Sequence, residues 1–365
     1  MAAHVHPLVF EPLFKPRLWG GRRLETLLNK RLPPGVAIGE SWEVVDLEEE
    51  QSVVAAGPAK GKRLGELVQG WGVDLLGRAE LPAGRYPLLI KFLDAREGLS
   101  VQVHPDEATA RRLGGRVRVK HEAWYVIDAS PDAFIYRGLR EGVDAAALRE
   151  AVEGDRIESV LNQVPIRKGH CYYLPSGTVH ALGGGAVVAE VQTPSDITYR
   201  LYDWNRIDAA TGRRRELQIE EALGCVSYGR STSAEEPPQH TASVWASVTS
   251  LVRCESFVIE RVRMVDGAEM EIPYAEMVIW IVLEGRGRIT HEGPSGPLSF
   301  GEGDTVVIPA GLKKGRVATH ANCMWLEVSV PIASSLAGFD RPDRASVRDG
   351  GGYVSINLPG PPSGS

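Results

Sequence analysis

Short runs of alternating apolar and polar residues dominate the chain, broken repeatedly by Gly, Pro, Asn or Asp. A period of two marks a strand with one face turned to a core, whereas a helix repeats near 3.6. The sequence therefore predicts strands over 41–45, 88–92, 99–103, 123–127, 133–136, 171–174 and 186–192, then over 257–265, 277–283, 287–291 and 305–308. Helical spacing is confined to 63–76, 106–113, 143–152, 157–162 and 217–223, with Asp106, directly after Pro105, as an N-cap. Many short strands with Gly-rich turns predict a mainly β fold, a barrel or sandwich decorated by helical insertions.

The polar stretch STSAEEPPQ at 231–239 has no period and carries adjacent prolines, so it predicts a boundary between two folded units. The segments are thus 1–232, 233–333 and a tail over 334–365, which is rich in Gly, Pro, Ser and charge and predicted to add little to a core. KGHCYYLPSGTVHAL and EGDTVVIPAGLKKG share a Gly-polar turn, a β-run and Pro-small-Gly, but only the first continues to a histidine, His180. A duplicated barrel in which one copy keeps a metal site would produce this pattern.

Composition narrows the functional classes. With 365 residues, 43% hydrophobic and 24% charged, the chain is neither fibrous nor wholly disordered. Its net charge of −6 argues against a nucleic-acid binder, whose affinity needs a basic surface. The four cysteines are far apart with no CxxC pair, which predicts reduced thiols and a cytoplasmic protein. No charged segment followed by a long apolar one opens the chain, so no signal peptide is expected. The longest window free of Asp, Glu, Lys and Arg, 170–189, contains Pro175, His180 and three consecutive glycines, which excludes a clean membrane helix.

Four elements carry candidate chemistry. In LSVQVHP, Ser100, Gln102 and His104 project from one face of a strand. In KHEAWYVI, Lys120 and Glu122 share a face and His121 takes the other. His180 follows a Pro-Ser-Gly turn in LPSGTVHAL. Each taken alone fits a solvated strand or a structural histidine. Together Gln102, His104, Glu122 and His180 offer two imidazoles, a carboxylate and an amide oxygen, a set suited to a borderline divalent ion such as zinc. The fourth element, AEVQTPSDITYRLYDWNR, ends a strand in a cluster of Asp196, Tyr199, Arg200, Asp203, Trp204 and Arg206. The glycines at 183–185 lead into AVVAEVQ rather than a helix, and so predict a turn, not a phosphate cradle.

With FKPRLWGG, GESWEV, PLLIKFLDAREGLSVQVHPDE, KHEAWYVIDA, GTVHALGGGAVVAEVQ and SDITYRLYDWNR in order, the sequence resembles the type I mannose-6-phosphate isomerases of the short bacterial class. The resemblance implies two cupin-type jelly-roll barrels, a catalytic one over 1–232 and a metal-free one over 233–333. It also implies one zinc ion on Gln102, His104, Glu122 and His180, a catalytic Arg200, Ser100 and Lys120 at positions associated with the substrate's phosphate end, and Lys91 near the site. Lys120 is a candidate proton carrier, while Ser100 and Lys91 are the substrate-binding pair. Relatives commonly carry threonine at the position of His121, which faces away from the ligands. The implied reaction interconverts mannose 6-phosphate and fructose 6-phosphate through an enediol(ate). A metal-dependent cupin dioxygenase and a non-catalytic sugar-phosphate-binding cupin are the alternatives. The partner is in each case a small molecule rather than nucleic acid or membrane, and the oligomeric state is left open.

Overall fold

The computed structural model describes residues 5–114, 117–208, 211–229 and 239–332. The expected boundary at 231–239, apart from Gln239, and the tail over 334–365 lie outside the described residues. Met1–Pro331 forms one compact unit, and the second unit begins at Ile332.

The first sheet has six strands: β2 (Leu13–Gly21), β3 (Ile38–Val44), β4 (Leu89–Ala95), β6 (Glu122–Ala129), β9 (Cys171–Leu174) and β11 (Ala186–Gln192), in the order β2-β3-β4-β11-β6-β9. Five strands make the second: β5 (Val101–Val103), β7 (Phe134–Leu139), β8 (Leu161–Pro165), β10 (His180–Leu182) and β12 (Tyr199–Tyr202), in the order β12-β5-β10-β7-β8. Inward residues of both sheets, among them Leu93, Trp124, Val126, Val188, Ile135 and Leu182, form one buried cluster, so the sheets face each other. Period-two alternation sends the opposite set to another core. Ile90 and Phe92 of β4 and Val187, Ala189 and Val191 of β11 pack with Ile279, Ile281, Leu326 and Val328 of a seven-stranded sheet. Covered on both faces, β4 and β11 are buried at every position, which explains their near-continuous apolar sequence.

The seven-stranded sheet faces a four-stranded one across a core of Trp280, Trp325, Phe300, Ile289 and Val317. The short strand β1 (Leu8–Val9) belongs to this sheet, pairing with Val306 and Val307. The two similar sequence segments occupy comparable places. Cys171–Leu174 belongs to the six-stranded sheet and is followed by His180–Leu182 in its facing sheet, while Thr305–Ile308 belongs to the seven-stranded sheet, between Leu8–Val9 and Val278–Glu284, and is followed by Arg316–Thr319 in the facing four-stranded one.

Helices decorate this β scaffold, and two differ from the sequence expectation. The helix expected over 63–76 is split into Leu64–Trp71 and Val73–Leu76 at Gly72, whose positive φ of 49° interrupts the run. The one expected over 157–162 is a single 3-10 turn, Ile157–Val160, followed by β8, where pairing with β7 overrides local helical spacing. Asp106 does cap Glu107–Leu113, accepting from the Thr109 backbone N–H at 2.8 Å. Gly183–Gly185 is a turn, as expected, with the Gly185 N–H donating to the Ala95 carbonyl at 2.7 Å.

Candidate metal centre

Strand pairing brings the predicted polar residues together from both facing sheets. In the five-stranded sheet Gln102 of β5 lies opposite His180 of β10 on one side and Arg200 of β12 on the other. Directly opposed residues of antiparallel strands project from the same face, so Arg200, Gln102 and His180 form a row. His104 lies just beyond the end of β5, before Pro105. From the six-stranded sheet Glu122, first residue of β6, faces this row.

Ligand atoms of His104, Glu122 and His180 all lie within 4.8 Å of one another, and each residue is 1% exposed. Nε2 of His104 is 3.3 Å from Glu122 Oε1, and Nε2 of His180 is 3.2 Å from Oε2. The other nitrogen of each ring is engaged: Nδ1–H of His104 donates to the Ile197 carbonyl at 3.0 Å and that of His180 to the Thr178 carbonyl at 2.9 Å. With the proton on Nδ1, both Nε2 atoms direct lone pairs at carboxylate oxygens. Burial, reinforced by Lys120, lowers the His104 imidazole to about 3, so that ring is neutral at physiological pH. His104 Nε2 and Glu122 Oε2 consequently have no hydrogen-bond partner despite complete burial. Facing buried lone pairs are unfavourable unless a cation lies between them.

The spacing fits such a cation. Ligand atoms about 2.1 Å from a shared tetrahedral centre stand roughly 3.4 Å apart, close to both observed separations. Gln102 reaches the same place, its side-chain amide 3.3 Å from His180 Nε2. A half-turn of the amide presents its oxygen there instead. Anchoring each imidazole through Nδ1–H to a backbone carbonyl fixes tautomer and ring orientation, the usual support of a metal-binding histidine. Trp124 packs edge-on to His180 with centroids 5.4 Å apart.

Glu122 is ionised. Burial would raise its carboxyl, but Lys120, His104 and His180 hold it well below the usual range. Lys120 Nζ lies 2.5 Å from Glu122 Oε1. These groups open into a cavity of about 700 Å³, lined by Gln102, Lys120 and Glu122 together with Lys91, Arg200 and Arg17. Lys91 lies between Glu190 at 3.3 Å and Asp196 at 3.5 Å. Burial would lower its ammonium, yet Glu190, Asp196 and Glu40 hold it above its ordinary value. Glu190 is shifted upward by burial and by Glu122, and accepts from Trp124 Nε1 at 2.9 Å. Buried Ser100 accepts from Arg200 Nε at 3.2 Å.

His121 faces the other way, accepting from the Ser176 backbone N–H at 3.2 Å. Asp203, Trp204 and Arg206 serve the local fold: Trp204 Nε1 donates to the Leu99 carbonyl at 2.7 Å and Arg206 Nη1 to that of Gly98 at 2.6 Å. Sequence reasoning passed over Arg17, Glu40 and Glu190. Glu190 had a signal, being the one charge inside the apolar run AVVAEVQ. Arg17 and Glu40 stand on β2 and β3, and only strand pairing brings them to the cavity, where Arg17 Nε donates to Glu40 Oε1 at 2.7 Å.

A family model described as phosphomannose isomerase type I, catalytic domain, matches residues 8–128. Mannose-6-phosphate isomerase ManA of Bacillus subtilis is 34% identical over 318 residues, covering 87% of this chain and 98% of the relative. The chain belongs to the type I phosphomannose isomerase family. A second relative, the mannose-6-phosphate isomerase of Streptococcus mutans, is 33% identical over 328 residues, covering 87% of this chain and 98% of that one. The crystal structure of the B. subtilis mannose 6-phosphate isomerase has a TM-score of 0.79 at 31% identity, covering 89% of this chain and 99% of that chain. A phosphomannose isomerase variant from Salmonella typhimurium shares the fold at 16% identity, with a TM-score of 0.71 and coverage of 90% of this chain and 100% of that one.

Proposed function

We propose that this protein interconverts mannose 6-phosphate and fructose 6-phosphate with one zinc ion held by Gln102, His104, Glu122 and His180. The observation that carries the reading is the convergence of two Nδ1-anchored imidazoles and a buried carboxylate beside a cavity lined by five basic and five acidic side chains, in a chain of this family. Nitrogen and oxygen donors of this kind suit zinc, and all four cysteines are free thiols with no part in the cluster. Those thiols also favour a reducing compartment such as the cytoplasm. When bound, zinc supplies Lewis acidity toward the oxygens on the two reacting carbons.

The chain's own residues do the rest. Arg200 offsets negative charge on the developing enediolate, a role typically worth about 3 to 4 kcal/mol for a well-placed donor. Lys120, beside Glu122, is placed to hold or pass on the proton that moves between the carbons. Ser100 fixes Arg200 through their hydrogen bond and so acts on the sugar phosphate through it, while Lys91 lines the cavity that would hold the sugar phosphate. In this reading residues 1–232 form the catalytic barrel and 233–333 a second, metal-free barrel. Arg316 supports the latter assignment, opening its strand where His180 opens the corresponding one.

Chelator-treated protein should lose conversion of fructose 6-phosphate to mannose 6-phosphate and regain it on addition of zinc. Oxygen consumption by iron-loaded protein, with no isomerisation by the zinc form, would replace this reading with the dioxygenase one.

A further inference from the structure

The basic side chains around the cavity are not equally available to a ligand. Lys120 is held by Glu122, Lys91 by Glu190 and Asp196, and Arg17 by both oxygens of Glu40. Arg200 differs: it donates from Nε to Ser100 and from Nη1 to the Glu216 carbonyl at 2.9 Å, and makes no ion pair with a carboxylate among the described residues. The same segment that supplies Glu216 brings Arg215 to the cavity wall. It is strapped to β12 by the Gln218 N–H donating to the Arg200 carbonyl at 2.9 Å and the Arg200 N–H donating to Gln218 Oε1 at 3.2 Å. Arg215 itself is braced from behind by Asp203, through Nε at 2.8 Å and through Nη2, while Nη1 makes no hydrogen bond among the described residues. Its side chain is 25% exposed. Two guanidiniums with open donors thus line the same cavity, and after burial Arg215 is the largest influence lowering the Arg200 guanidinium.

We propose that Arg215 holds the phosphate of the substrate, with Arg200 between it and the metal centre. The proposal rests on the sugar-phosphate isomerase reading above and adds a residue that neither the motif nor the resemblance singled out. The row His180, Gln102, Arg200 crosses three neighbouring strands, and the Arg215–Gln218 segment lies along β12. Strands are about 4.8 Å apart, so Arg200 stands roughly 10 Å from His180, backbone to backbone. A hexose phosphate lying along that row puts its reacting carbons at the metal centre and its anionic end at the far guanidinium. A guanidinium pre-set by a carboxylate behind it loses little freedom on binding, and its remaining N–H groups suit phosphate oxygens.

The test compares zinc-loaded wild type with Arg215→Ala and Arg215→Lys. The expected result for Arg215→Ala is a KM for fructose 6-phosphate raised at least about tenfold, with kcat changed far less and zinc content unchanged. The inhibition constant of inorganic phosphate should rise in parallel, and Arg215→Lys should fall between the two proteins. An unchanged KM and phosphate inhibition constant would overturn the proposal, as would a fall in kcat and zinc content with phosphate binding intact. Absence of isomerase turnover in the wild type would strike the underlying reading instead. Calorimetric binding of inorganic phosphate then decides Arg215 alone: weaker binding by Arg215→Ala supports it and equal binding overturns it.

Discussion

His104, Glu122 and His180 carry the argument because their buried atoms conflict with one another until a cation is present. Replacing Glu122 with Gln removes the negative charge that the cation neutralises, so Glu122→Gln should copurify without metal, as measured by elemental analysis. Gln102→Ala should retain metal more weakly than wild type but better than His180→Ala, since a neutral amide is the weakest donor of the set. A second test concerns Glu40. Burial opposes its ionisation, but Lys91 and Arg17 draw its carboxyl from 4.5 to about 2. A depressed carboxyl stabilises the fold above the higher value and loses that contribution as pH falls through the lower one. Denaturant titrations should show Glu40→Gln less stable than wild type by up to about 3 kcal/mol at neutral pH. The difference should shrink steadily between pH 4.5 and about pH 2.

Among the elements, the Glu107–Leu113 helix begins three residues after His104 and rests on the Asp106 cap. Asp106→Ala should cost about 1 kcal/mol by chemical denaturation while leaving zinc content near that of wild type. The cap was readable because its chemistry is local, and so were eleven of the 24 strands among the described residues, because burial of one face imposes a period of two. Gly72 and the Ile157–Val160 turn were misread for a complementary reason. Apolar spacing at 63–76 and 157–162 satisfies a helix, but a positive φ and a strand partner decide the outcome. The convergence of Gln102, His104, Glu122 and His180 was legible as residue types that share strand faces. The partners Ile197 and Thr178 were not, since a backbone carbonyl carries no side-chain signature. Arg17 and Glu40 likewise depend on a pairing between β2 and β3 that alternation alone leaves unspecified.

On the scale of the whole molecule, the large cluster between the six- and seven-stranded sheets ties both pairs of sheets into one body, and β1 carries the start of the chain into the sheet formed by its end. Leu8 is fully buried there. Leu8→Ala should cost about 2 to 5 kcal/mol, and calorimetry should show one cooperative transition for wild type rather than separate melting of the two sheet pairs. Such a body keeps the facing sheets in register, which the metal centre needs because Glu122 comes from one and Gln102 and His180 from the other. Anomalous diffraction from crystals of the zinc-loaded protein is the most direct measurement. The expected result is one zinc peak about 2.0–2.2 Å from Nε2 of His104 and His180 and from a carboxylate oxygen of Glu122, with the Gln102 side chain completing the set. Full zinc loading with the peak elsewhere, and these four side chains unliganded, would contradict the account.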